Sequence, residues 1–286
     1  MLPSLITVNK KRDSPAGGRP LNARSLALSA LLGTRPPALP ASSLVALAEL
    51  FGINGGTMRT ALSRMVAAGD VTLSAGWYTL SDRLRQRQAA QDVGRTPTGD
   101  GWNGEWHTAA GAAGAAGDRW DGEWHTAVAL ADQRELPDRR QVRVVMTNAR
   151  FAELRPTVWM RPANLPAPAL DDGWVVTTGP VSGADDGVVT RRLWDVKVIA
   201  EEALRLEHEL ELAESRIDRS DPSEIPGAFT LSATVVRFLR SEPLLPAELA
   251  PAGWPLPDLR RRYARFEADL QAMMRPILHP EPSATA

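Results

Sequence analysis

The sequence predicts an α+β protein, with helices and strands grouped along the chain rather than strictly alternating. Three observations predict it. Between Phe51 and Leu80 a stretch of helical period runs directly into two short strand-like segments. Between residues 120 and 200 the order reads strand, helix, strand, strand, helix. From residue 201 onward the pattern is helical, broken only by proline-rich loops.

Composition bounds the classes. The 286 residues suffice for two or three domains. With 33 basic and 34 acidic residues the net charge is −1. The balance hides an asymmetry: residues 1–92 hold eleven Lys/Arg against five acids, a net of +6, and the remainder holds 22 against 29, a net of −7. A basic N-terminal segment on an acidic body suits a polyanionic partner at one end. The chain has no cysteine, which excludes disulfides, thiolate metal sites and cysteine nucleophiles. No apolar run approaches the roughly 18 residues of a membrane span and no signal peptide opens the chain, so a soluble cytoplasmic protein is expected.

Residues 1–20, with Lys10-Lys11-Arg12, read as a disordered basic tail. Residues 21–92 read as one domain. Asn22 caps a first helix whose apolar side carries Leu26, Leu28, Leu31 and Leu32. Thr34 to Pro40 reads as a rigid connector. The helix from Ser42 to Phe51 turns Leu44, Leu47, Ala48 and Phe51 inward, and Gly52-Ile53 makes a tight turn. Asn54 then caps a third helix. Its inner face is Met58, Ala61, Leu62, Met65 and Val66; its outer face is Thr57, Arg59, Thr60, Ser63 and Arg64. Gly69 ends it. Val71–Leu73 and Trp77–Leu80 form a hairpin. Three helices and a hairpin are a winged helix-turn-helix in outline, and the third helix is the element that would enter a DNA major groove. The DNA-contact set is therefore Asn54, Thr57, Arg59, Thr60, Ser63 and Arg64. Asp82 to Val93 continues as an amphipathic helix with Arg83, Arg85 and Arg87.

Residues 93–119 read as a Gly/Ala-rich linker insertion. It contains a duplication: Trp102-Asn-Gly-Glu-Trp-His-Thr-Ala109 recurs as Trp120-Asp-Gly-Glu-Trp-His-Thr-Ala127. Two units are too few for a solenoid. Only the second copy runs on into an apolar strand, so that copy belongs to the fold. His107 and His125, with Glu105 and Glu123 beside them, lack metal-site spacing and read as surface-strand residues. No metal, cofactor or catalytic residue is expected.

Residues 120–200 read as a ferredoxin-like module, with a helix over Pro137–Asn148 and strands at Thr157–Arg161 and Trp174–Thr178. Residues 201–278 read as a helical domain, and 279–286 as a tail. Its helices are Leu193–Ile217, Phe229–Arg240 and Leu256–Leu278. The last carries a basic stretch, Arg260-Arg-Arg262, and turns Tyr263, Phe266 and Leu270 inward.

The blocks LNARSLALSALLG, FGINGGTMRTALSRMVAAGDV, WDGEWHTAVAL, AELRPTVWMRPANL, RRLWDV and EPLLPAELAPAGWP stand in this order. The series resembles the PaaX family of transcriptional repressors, regulators of phenylacetic acid degradation, over residues 21–278, and its actinobacterial branch most. The resemblance implies a winged helix on operator DNA, a central domain similar to the Cas2 ferredoxin-like fold, and a C-terminal helical domain. It implies a homodimeric repressor of an aromatic-acid catabolic operon, bound to double-stranded operator DNA and released by a small-molecule effector such as phenylacetyl-CoA or another acyl-CoA.

Three features depart from the family pattern. Gly55-Gly56 open the third helix, at roughly 1 kcal/mol per glycine. The wing is short and carries no basic residue. The duplicated segment is inserted between domains. Effector phosphates would be met by Arg139, Arg140, Arg161, Arg191 or Arg192. The alternatives are a metal-dependent nuclease on the Cas2-like domain, for which only Asp132 offers a carboxylate near the first strand's end, and an interaction protein that does not bind DNA.

Overall fold

A computed structural model describes residues 21–34, 36–85, 120–130, 139–167, 170 and 172–279. The expected tails, the linker insertion with His107, the candidate Asp132 and most of the helix expected after Asp82 lie outside the described residues; of that helix, residues 82–85 are described and helical. Helices and strands are both abundant, as an α+β protein requires. The chain forms two compact units that divide between Ser81 and Asp82.

In the first unit the order is α1 (Ala23–Gly33), β1 (Ala38–Pro40), α2 (Ala41–Leu50), α3 (Gly55–Ala67), β2 (Val71–Ser74) and β3 (Trp77–Leu80). Asn22 caps α1 by accepting from the Ser25 backbone N–H at 2.8 Å. The three helices enclose Leu26, Leu31, Leu44, Leu47, Met58 and Leu62, all fully buried. Burial of such side chains contributes about 1.5–3 kcal/mol each. The segment before Pro40, expected as a connector, instead supplies an edge strand. β1 pairs antiparallel with β3, placing Ala38, Leu39 and Pro40 opposite Thr79, Tyr78 and Trp77. Proline is tolerated there because an edge strand need not donate along its outer side. The sheet order is β1-β3-β2. Buried Asp70, just past α3, accepts from Arg24 of α1 at 2.6 Å and ties the hairpin's start to the first helix.

In the second unit a four-stranded antiparallel sheet has the order β5-β6-β4-β7. Its strands are β4 (Glu123–Ala129), β5 (Ala152–Arg155), β6 (Val158–Pro162) and β7 (Trp174–Pro180), and α4 (Arg139–Asn148) falls between β4 and β5. Both faces of the sheet are packed. Ala127, Phe151 and Trp159 meet Met146 of α4 in one cluster. Trp124 and Met160 meet Val189 and Leu249 in the other. Pro162 ends β6 as expected, and β5 is a strand the sequence pattern did not show.

The long helix expected from Leu193 is two helices, α5 (Asp186–Leu193) and α6 (Val196–Arg216). The break falls at Trp194-Asp195, because Asp195 caps α6 by accepting from the Val198 N–H at 3.1 Å. On α6 the buried line is Ala203, Leu206 and Leu210, while Leu204 faces solvent. A short 3-10 turn (Pro222–Glu224) leads into α7 (Ile225–Ser241), and α8 (Leu256–Leu278) closes the fold. Tyr263, Phe266 and Leu270 are buried as expected. The basic stretch is no cationic patch: Arg260 is buried on Glu242, Arg261 pairs with Asp258, and Arg262 pairs with Glu214 at 2.8 Å.

Candidate nucleic-acid interface

The site is one face of α3. The turn before it is possible because Gly52 takes φ +69°, which a side chain disfavours. Asn54 then leaves the helical region and accepts from the Gly56 backbone N–H at 2.7 Å. Gly55 follows, and it is buried. A Cβ there would stand 2.9 Å from Val45 Cγ1 and 3.3 Å from Glu49 Oε1 of α2. The glycine that helix propensity marks as a cost is thus the residue that lets α3 lie close on α2.

The structure brings all six predicted residues to the solvent side of α3: Asn54, Thr57, Arg59, Thr60, Ser63 and Arg64 are exposed. On the opposite side Met58, Leu62 and Met65 are buried and Ala61 is half-buried, whereas Val66, expected inward, is exposed because it lies at the edge of that face in the helix's last turn. Two hydroxyls on the exposed side are already engaged as donors. Thr60 donates to the Gly56 carbonyl at 2.9 Å and Ser63 to the Arg59 carbonyl at 3.1 Å. Toward a ligand they offer lone pairs, and Thr60 a methyl. Hydrogen-bond donation from this face therefore falls to the Asn54 side-chain amide, Thr57 and the two guanidiniums. No acidic residue lies between Asn54 and Gly69. A helix about 10–12 Å across with this face matches a major groove about 12 Å wide.

Behind α3 the hairpin turns through Ala75 at φ 48° and Gly76 at φ 81°, a two-residue loop with both central residues left-handed. The residues from Val71 to Ser81 include no charge.

In the second unit, His125 is no surface histidine. It is 5% exposed, its Nδ1 lies 2.8 Å from Thr178 Oγ1, and its Nε2 lies 2.9 Å from the Leu165 carbonyl. Burial pushes its pKa down, the Leu165 hydrogen bond opposes this, and the Arg161 charge adds to the lowering. Arg161, expected as an effector contact, is buried and donates to the Leu165 and Pro166 carbonyls, with its guanidinium 5.2 Å from the Phe151 ring centre. Arg139, Arg140, Arg191 and Arg192 are exposed on α4 and α5. Among the described residues no three His, Cys, Asp or Glu side chains meet as a metal site. No described helix is long and apolar enough to cross a membrane.

An open cleft of about 320 Å³ lies where α4 and β5 face the α5–α6 break and the end of α7. Arg143, Arg150, Phe151, Glu153, Trp159 and Trp194 line it, and of these Arg150 is buried. Sequence reasoning missed both Arg150 and the cleft, since their parts are up to 98 residues apart, from Arg143 to Ser241.

The N-terminal unit is also where family resemblance concentrates. The PaaX-like protein family matches residues 22–84. The whole chain is similar to the structure of an uncharacterized protein, Rv0674, from Mycobacterium tuberculosis. Identity is 34%, 90% of this chain and 98% of that one are covered, and the TM-score is 0.65. No curated protein matches the chain. The family's pattern lies on the helices and hairpin that carry the candidate interface, and over those residues, 22–84, the chain belongs to the PaaX-like protein family.

Proposed function

We propose that the chain is a DNA-binding transcription regulator, a dimeric repressor of an aromatic-acid catabolic operon whose α3 reads operator DNA. The observation that carries the reading is the exposed, acid-free face of α3 with two arginines among short polar side chains. The order α1-β1-α2-α3-β2-β3, with β1 as a small third strand, supports a winged-helix reading. The antiparallel order β5-β6-β4-β7 supports a ferredoxin-like reading of the sheet, and the described residues between β6 and β7 hold no helix. Family membership favours regulation over catalysis. The cleft beside Trp159 and Trp194, where exposed Arg143 pairs with Glu153 at 3.0 Å, is the candidate site for an acyl-CoA effector such as phenylacetyl-CoA.

The test is a gel shift with the promoter region beside the protein's own gene, across a salt series, with and without phenylacetyl-CoA. Arg64→Ala is expected to weaken binding about tenfold and to flatten the salt dependence by about one released ion. Normal binding by a folded Arg64→Ala protein would remove α3 as the DNA-reading element. A shift abolished by the thioester identifies the effector class; a shift it leaves intact keeps the regulator and discards that effector.

A further inference from the structure

We infer that the two copies of the repeat are alternative occupants of one place in the sheet: residues 105–111 can replace β4, residues 123–129, against the same neighbours. The inference is independent of the DNA-binding reading, and it gives a role to the duplication, which that reading leaves unused.

The place is built from described residues, and its demands are specific. Trp124 is 1% exposed; it packs with Met160, Val189 and Leu249, and its Nε1–H donates to Asp186 at 2.9 Å. Trp120 meets Trp124 edge to face, with ring centres 5.8 Å apart, and donates to the Glu123 carbonyl at 2.9 Å. Between them Gly122 takes φ +87°, and the Glu123 amide donates to the Asp121 carboxylate at 3.0 Å. His125 is held by Thr178 and Leu165, and Ala127 is fully buried in the cluster with Trp159.

The first copy meets each demand. Trp102, Gly104, Trp106, His107 and Ala109 stand 18 positions before Trp120, Gly122, Trp124, His125 and Ala127. Asn103 replaces Asp121, and its side-chain oxygen can accept the same amide. Within the strand the copies part only at Val128 and Ala129, where the first has Ala110 and Gly111. Val128 is exposed and Ala129 half-buried, so the buried side chains are the same with either copy seated. The backbone bonds to β6 and β7 do not depend on these side chains, and neither copy contains a proline. Valine is a better strand former than alanine, and glycine a worse one, so the second copy is the major occupant and the first the minor one.

The exchange has a fixed consequence. It moves 18 residues from the connection before β4 to the connection between β4 and α4. The stretch joining residue 85 to the repeat shortens from residues 86–119 to residues 86–101. The register thereby sets the length of chain that joins the two units.

The test uses the full chain, which has no cysteine, so an introduced pair gives the only disulfide that can form. Ala127 stands opposite Val176 between β4 and β7. Ala127→Cys with Val176→Cys therefore marks the second copy, and Ala109→Cys with Val176→Cys marks the first. In a glutathione redox buffer, the 109–176 link is expected within single chains, forming about tenfold or more slower than the 127–176 link, as a minor state of about 10% or less requires. Adding Trp124→Ala, which empties the core position of the second copy alone, should bring the two rates level or reverse them. Removing residues 102–119 leaves one copy in frame. In that shortened chain the Trp124→Ala cavity cannot be refilled, and the urea midpoint should fall at least about twice as far as in the full chain, where Trp106 replaces the lost ring. Failure of the shortened Trp124→Ala chain to fold, while the full one folds, is the same result in the extreme. A 127–176 link without any 109–176 link, in both backgrounds, overturns the exchange. So does a 109–176 link found only between chains. Equal midpoint losses from Trp124→Ala in the two chains overturn it too, and that comparison needs no disulfide.

Discussion

At the scale of single residues the structure most changes the reading of His125. Its contacts suit the neutral ring, with Nε2–H donating to the Leu165 carbonyl and Nδ1 accepting from the Thr178 hydroxyl. Burial, the largest cause, holds its pKa below the ordinary value of about 6.5. The unfolded chain therefore binds more protons than the folded one as pH falls through and below about 6.5, and folding stability declines there. Urea unfolding at pH 7.5 and pH 5 should show this decline in the parent and a smaller one in His125→Gln. Equal losses in both proteins would exclude His125 as its source. Eight of the nine tryptophans lie in residues 82–286, so fluorescence reports mainly on the unit that contains His125.

At the scale of elements, the seating of α3 on α2 decides what the exposed face can do. Gly55→Ala should gain about 1 kcal/mol in helix propensity. The new Cβ would stand 2.9 Å from Val45 Cγ1, and overpacking of that kind costs about 1–3 kcal/mol. The expected net effect is destabilisation of the first unit by about 1 kcal/mol, seen as faster hydrogen exchange of the α3 amides. In a Val45→Ala background the same change should stabilise, because the obstructing methyl is gone. A stabilising Gly55→Ala in the parent background would mean that close packing is not what this glycine provides. The α5–α6 break shows the converse case. Asp195 looked like one more polar residue in a helical run, yet its carboxylate caps a new helix start and Trp194 turns into the apolar cluster under the sheet.

At the scale of the whole molecule, the second unit is joined by a buried polar knot. Glu242, at the end of α7, is met by Arg260 of α8 and lies 4.0 Å from Arg150. Arg150, just after α4, donates to the Leu239 and Glu242 carbonyls at 2.8 and 2.7 Å, which satisfies the end of α7. Burial pushes the Arg150 guanidinium down to about 10, and Glu242 counters that shift, so it stays cationic at neutral pH. Glu242→Ala would leave two buried cations without their counter-charge and should cost about 3–5 kcal/mol in urea unfolding of the second unit. A loss under about 1 kcal/mol would show that the carbonyl contacts alone hold the knot.

Local order accounts for what could be read before the fold was known. The α3 cap at Asn54, its apolar and polar faces, the glycine that ends it and the two-residue hairpin all depend on neighbours within a turn or two. The sequence by itself therefore determined the six exposed residues of the candidate interface, and the start and end of α8. Tertiary structure decided whatever depends on partners distant in the chain. It made an edge strand of Ala38–Pro40, because β3 supplies the backbone groups that pair with it. It turned Gly55 from a weak helix start into a packing requirement set by Val45. It buried His125 between Thr178 and Leu165, and consumed the arginines at 161 and 260 in internal contacts that their sequence neighbours do not announce. The physical reason is the same in each case: periodicity and capping are properties of adjacent residues, whereas burial and charge pairing are set by what the folded chain brings alongside.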